Sequence, residues 1–204
     1  MTVFQLLMLG AAAFFAFKIY EHVQTLQDPQ EAESEDGARA NMNAFSPHSA
    51  QTLVAKAEDA YEDEDYSKAL ALLKEADTKD PNNPDILYRL GYMLEKLGDS
   101  DEALHQYKNA LEFDKNNVYF HNSIASVYRT KGEYASARMH LNASLDIDPQ
   151  NPVTHYNYGN LLVDMKNTEQ ALEMYEKAVE LDPEFTHAQE EIAKLKASLK
   201  DTSV

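Results

Sequence analysis

Residues 84–117, PDILYRLGYMLEKLGDSDEALHQYKNALEFDKNN, align without a gap on residues 118–151, VYFHNSIASVYRTKGEYASARMHLNASLDIDPQN. Small residues recur at the same offsets: Gly91 with Ala125, Ala103 with Ala137, and Ala110 with Ser144. Stepping 34 residues outward in each direction gives two further units, 50–83 and 152–185. These place Ala57 and Gly159, Ala69 and Ala171, and Ala76 and Ala178 in the same three slots. Self-similarity at a fixed period of this size marks a stacked repeat architecture. Small side chains at regular positions let two helices approach closely. Between them stand large residues, Leu90, Ile124 and Tyr158; Leu94, Tyr128 and Leu162, with Ala60 in the first unit; and Leu73, Tyr107, Leu141 and Tyr175. Spacings of three and four put these on one helical face. The sequence therefore predicts an all-α fold of four helix–turn–helix units.

The turns repeat as well. Gly98 and Gly132 fall where the first helix of a unit must stop in a left-handed conformation. Glu64 and Lys166 take that place in the first and fourth units, which predicts less favourable turns there. Asp80-Pro81-Asn82-Asn83, Asp148-Pro149-Gln150-Asn151 and Asp182-Pro183 punctuate the ends of the second helices, with Lys115 in the proline position after the second unit. Beyond Pro183, Ala188, Ile192, Leu195 and Leu199 form an apolar stripe, with Glu190, Glu191, Lys194 and Lys196 facing away. This predicts a helix over 185–200 that covers the core face left open by the last unit.

Tyr88-Arg-Leu-Gly-Tyr, Gly132-Glu-Tyr-Ala-Ser-Ala and Ala178-Val-Glu-Leu-Asp-Pro183 make the chain resemble the tetratricopeptide repeat (TPR) family over about residues 50–183. The resemblance implies a right-handed superhelix whose first helices line a concave groove. One departure is that the tryptophan usual near the start of the first helix is Leu53, Leu87, His121 and His155 here. The first unit diverges most, with Lys56 where the others hold Leu, Ile or Tyr. The lysine-and-asparagine clamp of chaperone-binding members is not reproduced, so that function does not carry over.

On the open face of the first helices the spacing places Val54, Glu58 and Tyr61; Tyr88, Arg89, Tyr92 and Lys96; Tyr119, Asn122, Ser126 and Arg129; and Tyr156, Asn157, Asn160 and Asp164. Tyr88, Arg89, Tyr92, Tyr119, Asn122, Ser126, Arg129, Tyr156, Asn157 and Asn160 are the candidate peptide-groove residues, concentrated in units two to four. Asparagine amides can pair with the N–H and C=O of an extended peptide. Tyrosines supply rigid apolar area, and Arg89 and Arg129 suit a carboxylate. The same pattern admits a second reading, in which the tyrosines pack between neighbouring first helices and the arginines pair with local acids.

Composition narrows the function. With 18 basic and 35 acidic side chains the formal net charge is −17, which repels polyanions and argues against a nucleic-acid partner. The absence of cysteine removes disulfides, thiolate metal sites and a Cys nucleophile. No His-Glu-x-x-His pair, Gly-x-Ser-x-Gly elbow or phosphate-cradling glycine loop occurs. His121 and His155 share one repeat slot and read as packing residues; His105 and His140 read as surface or interhelix histidines. No cofactor, metal or enzymatic activity is expected.

The N-terminal stretch differs from the rest. Met1–Tyr20 is almost wholly apolar and, as a helix, about 30 Å long, which matches a bilayer core. It lacks the basic n-region and the cleavage site of a signal peptide. It is therefore expected to be a transmembrane helix, followed by a stalk and acidic tether over 21–48. Lys18 places the repeats on the cytoplasmic side of a bacterial inner membrane by the positive-inside rule, with the periplasm as the alternative. Gly10 and Ala11–Ala13 leave a small face for a second helix, and so for a homo-oligomer. The combined expectation is a membrane-anchored adaptor that holds a protein or peptide segment in its groove. The alternatives are an assembly subunit of a larger membrane complex and a regulatory subunit of a membrane enzyme or protease.

Overall fold

The computed structural model describes residues 49–201. Among the described residues the chain is all-α, with nine helices: α1 (Ala50–Glu62), α2 (Tyr66–Lys79), α3 (Pro84–Lys96), α4 (Ser100–Phe113), α5 (Val118–Thr130), α6 (Tyr134–Ile147), α7 (Pro152–Asp164), α8 (Thr168–Leu181) and α9 (Thr186–Asp201). They form a solenoid of helix pairs, α1/α2 through α7/α8, with α9 against the last pair.

Polar side chains start the helices. Ser49, Asn83, Asn117 and Asn151 accept backbone N–H bonds at the heads of α1, α3, α5 and α7, satisfying donors that a helix leaves open. Asn83 and Asn117 also donate back to Asp80 and Asp114 at 2.7 and 2.9 Å, closing the turns between pairs.

Each first helix stops in the same way. Gly98 and Gly132 adopt φ of 86° and 76°, and Glu64 and Lys166 adopt 59° and 60° in the equivalent places. In all four turns the following residue donates to the carbonyl five positions back: Asp65 to Ala60, Asp99 to Leu94, Glu133 to Tyr128 and Asn167 to Leu162. This is the Schellman arrangement. It is kept in the first and fourth pairs although a Cβ in the left-handed region costs about 1–2 kcal/mol.

The small-residue slots are the contact lines of the core. Ala69, Ala103, Ala137, Ala171, Ala76, Ala110, Ser144 and Ala178 are fully buried. The remaining small slot is filled in register with its neighbour. A Cβ added at Gly91 would stand 2.6 Å from the Tyr107 ring, and one at Gly159 2.5 Å from the Tyr175 ring. Where the first helix carries alanine, at Ala57 and Ala125, the second carries Leu73 and Leu141 in the tyrosine position. Ala188, Ile192 and Leu195 of α9 supply the expected apolar stripe: Ala188 is fully buried and the other two pack against Leu162, Ala171 and Tyr175.

The expected membrane location is corrected. Among the described residues no helix is long and apolar enough to cross a bilayer. The longest, α9, has 16 residues, about 24 Å against a hydrocarbon thickness of about 30 Å, and carries Glu190, Glu191, Lys194 and Lys196. The stretch 1–20, the tether 21–48 and the small face at Gly10–Ala13, on which the anchor and the homo-oligomer were expected, lie outside the described residues.

Candidate functional site

A cavity of about 400 Å³ opens on the face shared by α1, α3 and α5. Helical spacing brings Val54, Glu58 and Tyr61 to it from α1, and Asp85, Tyr88, Arg89 and Tyr92 from α3. Tyr119 and Phe120 complete it from the first turn of α5, with Leu73 and Met93 beneath. Four candidates recognised in the sequence, Tyr88, Arg89, Tyr92 and Tyr119, are thus brought together. The cavity is centred on pairs one to three rather than two to four, and Val54, Glu58 and Tyr61 belong to it fully.

Its walls are fixed by contacts between successive first helices. The Tyr61 and Tyr92 hydroxyls are 3.1 Å apart and their rings 5.7 Å, tilted at 51°. Burial, then the Tyr61 hydroxyl, push the Tyr92 phenol above its ordinary pKa. The Lys96 ammonium lies 5.2 Å above the Tyr92 ring, a cation–π distance. Tyr88 stacks on Phe120 with centroids 5.2 Å apart and accepts from Ser123 Oγ at 3.3 Å. Arg89 Nη1 donates to Glu58 Oε1 at 2.5 Å. Tyr119 is held differently: its side chain is 62% exposed, on the rim.

The other six candidates do not join this site. Asn122 is a correction, since it is only 5% exposed and not on the open face. Its amide nitrogen lies 3.1 Å from Ser144 Oγ and 2.8 Å from Thr154 Oγ1, and its oxygen accepts from Asn157 Nδ2 at 3.1 Å. Ser144 and Thr154 are fully buried and 2.9 Å apart, completing a polar knot between α5, α6 and α7. Arg129 is not an isolated charge either: Nη1 donates to Asp164 at 2.7 Å. Ser126, Arg129 and Asn157 line a separate, small depression with Ala125 and Leu141. The Asn160 oxygen accepts from the buried Tyr175 hydroxyl at 2.7 Å. Tyr156 packs between Tyr175 and Phe185, 5.6 and 5.1 Å away. Tyr156 and Arg129 thus follow the packing-and-pairing alternative, while Asn122, Asn157 and Asn160 bond within the fold.

The histidine slot does more than fill space. His121 Nε2 lies 3.3 Å from the Lys115 carbonyl and His155 Nε2 3.0 Å from that of Pro149. In the next slot Gln189 donates to the Pro183 carbonyl at 2.7 Å. Each therefore ties a first helix to the turn before it. With Nε2 of His121 protonated for its carbonyl, its Nδ1 accepts from His140 Nδ1–H, the two nitrogens being 3.0 Å apart. Burial, then the neighbouring His121 and Lys108, lower His140 to about 4. In the fourth pair the matching partner is Met174. There His155 Nδ1 is buried with no hydrogen-bond partner among the described residues. The signal for this slot was present in the sequence as a polar side chain recurring every 34 residues at His121, His155 and Gln189.

Comparisons with known proteins agree with this architecture. The model of a tetratricopeptide repeat family matches residues 60–127 and 128–199. MamA from Desulfovibrio magneticus RS-1, from residue 41 to its end, superposes with a TM-score of 0.62 at 24% identity, covering 74% of this chain and 86% of that one. TTC0263, a thermophilic TPR protein of Thermus thermophilus, gives 0.67 at 20% identity, covering 74% and 82%. At these identities the likeness is one of fold. YrrB, a TPR protein with an unusual peptide-binding site, gives 0.59 at 26% identity, covering 69% of this chain and 73% of its own. An N-terminal acetyltransferase A complex subunit-like protein of Schizosaccharomyces pombe is 27% identical over 130 residues, 64% of this chain but 19% of that relative. The chain spans less than a fifth of that protein's length.

Proposed function

The chain belongs to the tetratricopeptide repeat family, and from that premise we propose that it is a non-catalytic adaptor whose α1/α3/α5 cavity holds a segment of a protein partner. The single observation that carries this reading is the cavity of about 400 Å³ walled by Tyr61, Tyr88, Tyr92 and Phe120, with Tyr119 exposed at its mouth. Tyrosine and arginine are the usual energetic anchors of protein interfaces. Here the ring positions are set before any partner arrives, which lowers the ordering cost of binding. The peptide-binding site of YrrB, a relative of the same fold, is consistent with this use.

A second reading is an assembly subunit that docks through its second helices. Met139 of α6, 60% exposed, and Phe113 at the end of α4 favour it. A photo-crosslinking amino acid placed in the full chain separates the two. Introduced at position 119 it should give a discrete adduct that Tyr92→Ala abolishes. Adducts formed from position 139 alone, with none from 119, would replace the cavity reading by the assembly one.

A further inference from the structure

Resting on the reading that the cavity takes a protein segment, we propose that the segment is basic, and that a lysine or arginine side chain enters beside Asp85 with its apolar stem against Tyr119 and Tyr88. The charges on the wall lead to this. Two carboxylates, Glu58 and Asp85, and one guanidinium, Arg89, line the cavity. Arg89 is already bound to Glu58 at 2.5 Å. Asp85 is exposed, and among the described residues its carboxylate has no ion-pair or hydrogen-bond partner. Its place in the first turn of α3 suits the helix dipole, which accounts for a carboxylate there. That leaves the negative charge on the cavity wall rather than cancelling it.

An acidic segment fits poorly. To use Arg89 it would have to displace Glu58, and it would then meet both Glu58 and Asp85 without a counter-charge. A basic side chain needs no displacement. Aromatic faces accept the stem of a lysine or arginine and attract its head. This chain already does so internally, with Lys96 over Tyr92 and Lys108 over Tyr128, the latter at 5.1 Å. Lys96 itself stands at the other end of α3, 11 residues from Asp85, about 16 Å along the axis. Its repulsion of a cation at Asp85 is therefore largely screened at physiological ionic strength. The net charge of −17 draws a basic segment in from a distance.

The test uses the full chain of 204 residues and a phage-displayed library of random dodecapeptides. Enriched sequences should carry Lys or Arg next to an apolar residue. A synthetic peptide of the leading sequence, and its Lys/Arg→Gln counterpart, are then titrated by fluorescence anisotropy. Removing the peptide's charge should weaken binding about fivefold, as for a partly exposed ion pair. Asp85→Asn should weaken the charged peptide equally and leave the neutral one unchanged. Enrichment of acidic sequences, or Asp85→Asn binding as tightly as the native chain, overturns the proposal. If Tyr92→Ala and Tyr119→Ala abolish binding while Asp85→Asn does not matter, only this inference falls. If neither tyrosine variant has an effect, or no sequence is enriched, the cavity reading falls with it.

Discussion

Helix pairs α5/α6 and α7/α8 occupy successive 34-residue steps of one chain and are filled in opposite ways. The first sets Ala125 against Leu141. The second sets Gly159 against Tyr175, whose ring fills the space a Cβ at position 159 would need. In α5/α6 the slot histidine has a partner, His140; in α7/α8 the matching position is Met174, and among the described residues His155 Nδ1 has no hydrogen-bond partner. The turn of α5/α6 uses Gly132, that of α7/α8 Lys166, with the same sign of φ. What the repeat conserves is therefore a sum of volumes and a backbone path, while the residue in any one slot is free if its cross-helix neighbour changes with it.

The largest expected difference between the two pairs is in pH response. His140 titrates at about 4 in the folded chain, against ~6.5 when unfolded. As pH falls, the unfolded chain takes up this proton first. The stabilisation from a neutral His140 is thus complete above ~6.5 and is lost between there and about 4, up to about 3 kcal/mol in all. Urea midpoints at pH 7.5 and 4.5 should show the loss, and His140→Met, which copies α8, should remove this share of it. An unchanged pH slope in His140→Met would mean that His140 is not the titrating group.

Next comes the volume exchange. Gly159→Ala should cost about 2–3 kcal/mol, because a rigid, buried ring cannot yield as a flexible chain would. Tyr175→Leu alone should cost about 2 kcal/mol through the space it leaves. Together they rebuild the Ala125–Leu141 pairing and should recover on the order of 1–3 kcal/mol as a coupling energy in a double-mutant cycle. Simple additivity would show that the two slots are not read jointly.

The polar knot should respond by about 2 kcal/mol. Asn122→Ala removes the common partner of Asn157, Ser144 and Thr154 and leaves the last two bonded only to each other and to Asn151, whereas the triple change with Ser144→Ala and Thr154→Ala leaves only the half-buried Asn157 amide to find water and should cost less. A triple variant less stable than the single one would contradict this. The smallest effect is at the turns. Lys166→Gly should raise stability by about 1 kcal/mol and Gly132→Ala lower it by a similar amount, seen as shifted urea midpoints with unchanged slope.

These contrasts also show which parts of the molecule could be read in advance. The pairing of helices was legible because Ala103, Ala137 and Ala171 recur at a period that only close packing demands. The turns at Glu64 and Lys166 were legible as imperfect, since the glycine slot was visible in the other two units. Burial of Asn122 was not. Its helical spacing puts it on a face, but whether that face is covered depends on Ser144 and Thr154, 22 and 32 residues away. The pairings Arg89–Glu58 and Arg129–Asp164 span 31 and 35 residues, so each of these two arginines is answered from a neighbouring unit. Pairs three and four bind each other through Asn122, Asn157 and Arg129, and among the described residues the cavity lies where Tyr88, Tyr92 and Tyr119 meet Val54, Glu58 and Tyr61 of α1.

The knot around Asn122 also limits how the chain can be cut and rejoined. The corresponding positions are Val54, Ala76 and Ile86 between the first two pairs, Tyr88, Ala110 and Phe120 between the next two, and Tyr156, Ala178 and Ala188 before the last helix. Excising residues 152–185 would seat Ala188 against Asn122 and Ser144, deserting polar groups in a dry seam. Excising residues 84–117 would join Val54 and Ala76 to Phe120, one oily surface to another. The same deletion length is thus tolerable at one seam and ruinous at another, and the order of the units is inscribed in the chemistry of their borders.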